Sequence, residues 1–265
     1  MLRVAATSRW LGALALAAAF AVLAFFLGQW QWGRYEERRE RADRITTHYD
    51  APAVPLAGQV GPQPLPLARE WTKVTATGTY AAQAPLLVRN RPLDGTYGYE
   101  VLHPLTLADG TVLVVDRGWV RNAESAEALP DVPPPPQGPV QVTGWLRVSE
   151  PSLGRDLPRG QLASINLGEA AARLDEDVLG AYLVLDAERT PDGATPDRPA
   201  RLERPDTGIG PHQAYALQWW ASMPVGFVLV FIGVRREYRD SVGEPGSSPR
   251  RPRQKKVRIW DEEDA

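Results

Sequence analysis

WLGALALAAAFAVLAFFL, residues Trp10–Leu27, runs 18 residues without a charge, and no charged side chain follows until Arg34. A second apolar run, Tyr215–Val234 (YALQWWASMPVGFVLVFIGV), is 20 residues long. A helix needs roughly 17–25 such residues to cross the hydrocarbon core of a bilayer. The two runs therefore read as a transmembrane hairpin carrying one soluble domain. The expected layout is an N-terminus at 1–9, a first transmembrane helix at 10–33, an extracytoplasmic domain at 34–211, a second transmembrane helix at 212–234 and a basic tail at 235–265.

Two spans put both termini on one side. The tail carries Arg235, Arg236, Arg239 and the basic stretch Arg250–Arg258, and the N-terminus adds Arg3 and Arg9. The positive-inside rule then makes both termini cytoplasmic and exports the central domain. Arg34, Arg38, Arg39, Arg41 and Arg44 after the first run oppose this orientation. Long loops, however, translocate largely regardless of charge. A cleaved signal peptide is the alternative reading of the first run. Its apolar core exceeds the roughly 7–15 residues of such peptides, and Gln29-Trp30-Gln31-Trp32 is not a small-x-small cleavage site, which favours an anchor. No Arg- and Ser-rich leader precedes it, so a bacterial plasma membrane is the expected location.

Composition removes several functions. The chain has no cysteine and only Met1 and Met223 as methionines, whereas thiol redox chemistry needs a thiolate and Cu(I) carriage prefers soft sulfur ligands. The domain must cohere by core packing, for which it is long enough. A net charge of −2 with no basic stripe in the domain argues against nucleic acid as a partner. The basic tail reads as an orientation signal touching anionic lipid.

Between the spans the pattern is mainly β. Arg34–Arg44 (RYEERRERADR) has helical charge pairs and continues the first helix, and the Pro-rich stretch Ala51–Pro66 reads as loop. Strands are expected at Thr72–Tyr80, Ala84–Arg89, Tyr99–Leu107, Val140–Val148 and Ala181–Ala187, and Asp109-Gly110 turns a hairpin into TVLVVDRGW. Pro104 predicts an edge or a bulge for its strand. Pro130–Pro139 reads as a polyproline-like linker, and Gly168–Leu179 as an amphipathic helix with Ala171, Leu174 and Val178 on one face. The fold class is thus a membrane protein in which two transmembrane helices flank a mainly β (α+β) extracytoplasmic domain. No nucleophile elbow, zinc-protease helix or phosphate-binding loop occurs, so no enzyme is visible. His103, in a strand, reads as structural.

The unusual residues lie at the outer ends of the two runs. Gln29, Trp30, Gln31 and Trp32 close the first, and His212, Gln213, Tyr215, Gln218 and Trp219 open the second. If the runs pair, Gln29, Gln31, His212, Gln213, Gln218 and Trp219 face a common cleft, with His212 and Trp219 on one helix face about 10 Å apart along the axis and Tyr215 between them. An imidazole, flat aromatics and apolar walls suit a planar iron macrocycle, and a cation such as Arg34 suits its propionates. Plainer roles stand beside this one. Tryptophans form interfacial belts, Gln29 and Gln218 can hydrogen-bond two helices together, and His212 can cap a helix after Pro211.

At these residues the chain resembles the Surfeit-locus cytochrome oxidase assembly family. The resemblance runs through Leu27-Gly28-Gln29-Trp30-Gln31 and Arg34, Trp71, Val74, Gly78-Thr79-Tyr80, Arg89-Asn90-Arg91, Gly98-Tyr99-Glu100-Val101 and Pro104-Leu105. It continues through Asp109-Gly110, Val114–Val120, Gly144-Trp145-Leu146-Arg147, and His212, Tyr215-Ala216 and Gln218-Trp219. Asp116 departs from an Asn usual in that family, and leaves an acid free to pair with Arg117, Arg89 or Arg91. Trp220 stands where Phe is usual.

The resemblance implies an assembly factor for a haem–copper oxidase that handles haem a without making or breaking bonds. His212 would be the haem-iron ligand, with Trp219, Trp30, Gln218 and Arg34 as cofactor-binding residues. The implied partners are the catalytic subunit of the oxidase, the haem a synthesis machinery and the lipid bilayer. The alternative is a scaffold that binds the nascent subunit without haem, through Arg117-Gly118-Trp119 and the paired spans.

Overall fold

The structure, a computed structural model, describes residues 1–125 and 128–243. The tail expected at 235–265 therefore lies outside the described residues from position 244 onward. Contacts divide the chain into two compact units, one of Met1–Glu36 with the segment from Gly210, the other of Glu37–Ile209. A single turn, α1 (Leu2–Ala5), precedes the 41-residue helix α2 (Ser8–His48). Charge pairs at helical spacing such as Arg39–Asp43 carry α2 beyond its apolar part.

The strands of the second unit are β1 (Val54–Pro55), β2 (Lys73–Tyr80), β3 (Leu86–Leu93), β4 (Thr96–Leu107), β5 (Val112–Arg121), β6 (Pro139–Arg147), β7 (Gln161–Leu162) and β8 (Val178–Arg189). A helix, α3 (Leu167–Leu174), precedes β8. The sheet order is β1-β2-β6-β8-β5-β4-β3-β7, and β2 pairs with β4 as well as with β6. That additional pairing closes β2, β6, β8, β5 and β4 into a barrel. Only β5 and β8 run parallel within it.

Alternation along each strand fills the barrel. Val74 and Ala76 of β2, Leu113 and Val115 of β5, Val140 and Val142 of β6, and Ala181, Leu183 and Leu185 of β8 share one core. The opposite faces of β5, β6 and β8 present Val114, Trp145 and Val184 to a second core, completed by Trp71 and by Leu167, Ala170 and Leu174 around α3. There Tyr49 stacks on Trp145 at 4.1 Å and its carbonyl accepts the Trp145 indole N–H at 2.9 Å.

Two local expectations are corrected. Pro104 sits in an interior strand, pairing with Val114 of β5 rather than lying at an edge or a bulge. On its other side β4 changes partner, from β3 at Leu102 to β2 at Leu105. Its carbonyl accepts from Ala81, so the missing N–H falls on that seam and costs no ladder bond. The expected helix Gly168–Leu179 ends at Leu174, because Asp175 turns left-handed at φ 58° and Val178 already belongs to β8. The Asp109-Gly110 turn forms as expected, with Asp109 Oδ1 accepting from the Thr111 amide at 3.0 Å.

Asp116-Arg117-Gly118-Trp119 is absorbed by the fold. Asp116 and Arg117 point to opposite faces of β5, so they do not pair with each other. Arg117 is fully buried and donates to Glu188 Oε1 at 2.8 Å and to the carbonyls of Pro133 and Asp197. Tyr80 OH donates to the other Glu188 oxygen at 2.9 Å. Asp116 pairs with neither Arg89 nor Arg91; its Oδ1 accepts from the Gly118 amide at 3.1 Å. Arg91 instead meets Glu100 and Glu150. Burial, with Glu100 beside it, pushes the Asp116 carboxyl well above the usual range. Gly118 has φ 129°, and a Cβ there would lie 2.3 Å from the Ala200 carbonyl oxygen. The half-buried Trp119 donates its indole N–H to the Arg91 carbonyl at 2.7 Å.

In the first unit the second apolar run forms α4 (His212–Ser222) and α5 (Val225–Val242). The single helix expected there is interrupted at Met223-Pro224, since proline has no N–H to continue the ladder. Both residues keep helical angles, so the chain runs on as one 31-residue helical stretch, His212–Val242. It and α2 are long and apolar enough to cross a membrane.

Candidate functional site

Small residues let α2 pack closely on α4 and α5. A Cβ on Gly28 would lie 2.1 Å from the Trp220 indole nitrogen, and one on Gly233 would lie 2.2 Å from the Trp10 ring. Between these two seats Gly226 faces Ala17, whose Cβ would be 3.0 Å from an added one. Without a hydrophobic drive in lipid, such close approach is what associates helices. Trp10 also donates to Glu237 at 3.0 Å, while Arg9 pairs with the same carboxylate.

At the other end of this pair, Gln31 Oε1 stands 2.8 Å from Nδ1 of His212. A carbonyl oxygen only accepts, so Nδ1 carries the proton and Nε2 keeps its lone pair. His212 is half-buried and bonds across to α2; Pro211, not His212, takes the cap position of α4. The capping role is thus replaced by a bridge to the neighbouring helix. Trp32 and Trp220 meet across the helices with ring centres 5.7 Å apart, and Trp32 also packs on Tyr35 and donates to Glu36 at 2.8 Å.

The expected cofactor residues divide between two faces. Trp219 is half-buried, two helical turns from His212. Trp30 is 60% exposed, and Gln218 and Arg34 are also exposed. Gln29 and Gln218 make no bond between the helices; Gln31 does. Gln31 was among the residues the sequence placed in the cleft; Trp32 and Trp220 are the ones it left in the background. The signal for them was present: Gly28, Gln31, Trp32 and Tyr35, and likewise His212, Ala216 and Trp220, follow the spacing of one helix face.

Trp220 fills the space beside Gly28, so a flat ring does not enter between the helices at that level. What the residues do offer a haem is a single imidazole lone pair beside exposed apolar surface, including Tyr215 and Leu217. His103 offers no such nitrogen to a ligand. It is 1% exposed within the barrel, and burial with Arg117 nearby lowers its pKa to about 4. A groove of about 600 Å³ on the domain is lined by Pro55, Leu56, Val60, Leu107 and Leu179 among others, with no imidazole in its wall. Among the described residues no cluster of three metal-ligating side chains occurs.

These features define a class: a protein with two membrane-length helices, a mainly β domain and a histidine-bearing junction between the helices. Residues 18–223 match the SURF1 family. The chain is 33% identical over 250 residues to an uncharacterized SURF1-like protein of Mycobacterium bovis, covering 89% of each chain, and equally to one of Mycobacterium tuberculosis H37Rv. A SURF1-like protein of Dictyostelium discoideum is 32% identical over 106 residues, 38% of this chain and 39% of its own. The chain belongs to the SURF1 family. Membership supports a role in cytochrome oxidase assembly, and the two apolar helices support membrane anchoring.

Proposed function

We propose that this protein carries haem a and assists its insertion into the catalytic subunit of a haem–copper oxidase, with no bond made or broken in the cargo. The observation that supports this most directly is the His212–Gln31 contact, which leaves one imidazole nitrogen uncommitted beside apolar helix surface. A haem iron accepts a lone pair of this kind. Trp219 flanks the ligand, and Arg34 provides a cation for propionates. A carrier with one ligand releases its cargo more readily than a closed bis-histidine site. The haem a synthesis machinery supplies the cargo. The setting is a bacterial plasma membrane, with both termini cytoplasmic and the domain outside, as the basic flanks favour.

A reduced pyridine-haemochrome spectrum of detergent-purified protein from a haem a-producing host tests the reading. Wild type is expected to show haem a, and His212→Ala at least a tenfold loss. Full haem content in His212→Ala removes the ligand assignment. A colourless wild type that still captures the oxidase subunit replaces carriage with a haem-free scaffold. The fold already weakens that scaffold's proposed Arg117 contact, since Arg117 has no exposed surface.

A further inference from the structure

His212 and Gln31 belong to different helices, so their bond exists only while α2 and α4 are packed together. From this we infer that Gln31 is a positioning residue that makes His212 a ligand through helix pairing, so that cargo affinity is regulated by the packing of the hairpin. The inference rests on the haem-carrying reading and adds its control.

Nδ1–H donating to Gln31 Oε1 fixes the ring plane and selects the tautomer whose lone pair is on Nε2. When α2 and α4 part, the restraint is lost. The imidazole then rotates and exchanges its proton between the two nitrogens, and Nε2 is occupied by hydrogen most of the time. The neighbouring contact makes this all-or-none. Trp220 closes on Gly28 one turn of α2 away from Gln31, so a displacement that lifts the indole also breaks the Gln31 bond. Glu36 is held by the Trp32 indole nitrogen at 2.8 Å, which leaves Gln31 as the His212 acceptor among the described residues. A client surface that intrudes between the helices would therefore weaken the ligand as it arrives to take the cargo.

The test has two independent readouts. Nitrogen-15 NMR of the haem-free, full-length protein in detergent reports which ring nitrogen of His212 carries the proton, and haem a titration of the same samples reports affinity. Wild type is expected to show Nδ1–H. Gln31→Ala is expected to move the proton predominantly to Nε2 and weaken haem a binding roughly 10–100-fold, as loss of an orienting partner does at metal sites. Gln31→Glu, whose carboxylate still accepts from Nδ1, is expected to restore both. Nε2–H in the wild type, or unchanged affinity in folded Gln31→Ala, overturns the inference. A wild type with Nδ1–H that takes up no haem leaves Gln31 setting the tautomer and sinks the carriage reading instead.

Discussion

Two histidines in this chain live in opposite circumstances. His103 lies inside the barrel, its Nδ1 without a partner and its ring edge-on to Tyr80 at 5.9 Å. His212 sits half-exposed at a helix junction, with Nδ1 engaged and Nε2 open. Burial keeps the first neutral by excluding water, at the cost of every external ligand. A single hydrogen bond gives the second a defined proton position while leaving a lone pair outside. Burial perturbs a histidine more strongly, but only partial exposure with one partner makes it usable.

The contrast can be broken at several points. The largest effect is expected at the barrel end, where Arg117→Ala leaves Glu188 buried without its cation. Loss of about 3–5 kcal/mol is expected, measured by denaturant unfolding of the detergent-purified protein. An unchanged midpoint would mean that the pair does not hold that end shut.

Next comes pH. His103 titrates at about 4 in the fold, against an unfolded value near 6.5. The folded value is lowered, so the neutral ring contributes stability that is complete above pH 6.5 and is lost as pH falls toward 4. That difference amounts to on the order of 3 kcal/mol, and the stability difference between wild type and His103→Leu should change by this amount across the window. A flat difference curve would place the ring in contact with water.

The opposite response is expected of Asp116. Its folded pKa is raised, so its ionisation opposes folding as pH rises above the unfolded value. Asp116→Asn keeps an acceptor for the Gly118 amide and removes that ionisation. The melting temperature should rise at pH 8 and stay unchanged near pH 4. A fall at pH 8 would mean that the charged form is stabilised. The smallest change in stability is expected at His212→Ala, within about 0.5 kcal/mol, although this variant should lose the haem. A large loss of stability there would make His212 a structural residue like His103.

The spans were legible because absence of charge over Trp10–Leu27 and Tyr215–Val234 is a local property of the chain. So was the Asp109-Gly110 hairpin, whose turn chemistry lies within two residues. Barrel closure was not legible: it rests on β2 meeting β4 through Gly78–Tyr80, a pairing that no alternation pattern records. The two-residue strands β1 and β7 are too short to carry any periodicity. At the helix junction, sequence singled out His212 because the residue type is rare and Trp30 as a stacking candidate; the structure leaves Trp30 exposed and turns Trp32 toward Trp220. Neighbouring helix positions differ by 100°, and the rotation of one helix against another is decided by contacts such as Trp220 on Gly28.

Those glycine seats also bear on how the chain is made. Trp10 on Gly233, Ala17 on Gly226 and Trp220 on Gly28 form a key with three wards, cut partly on each helix. Sliding one helix by a single residue shifts it about 1.5 Å and turns it 100°, which misaligns all three. The two blanks leave the ribosome far apart in time: at roughly 5–20 residues per second, the second follows the first by on the order of ten seconds or more. The first helix therefore waits in the bilayer with Trp10 and Gly28 unmatched, and the one register that satisfies both is also the one that sets His212 against Gln31.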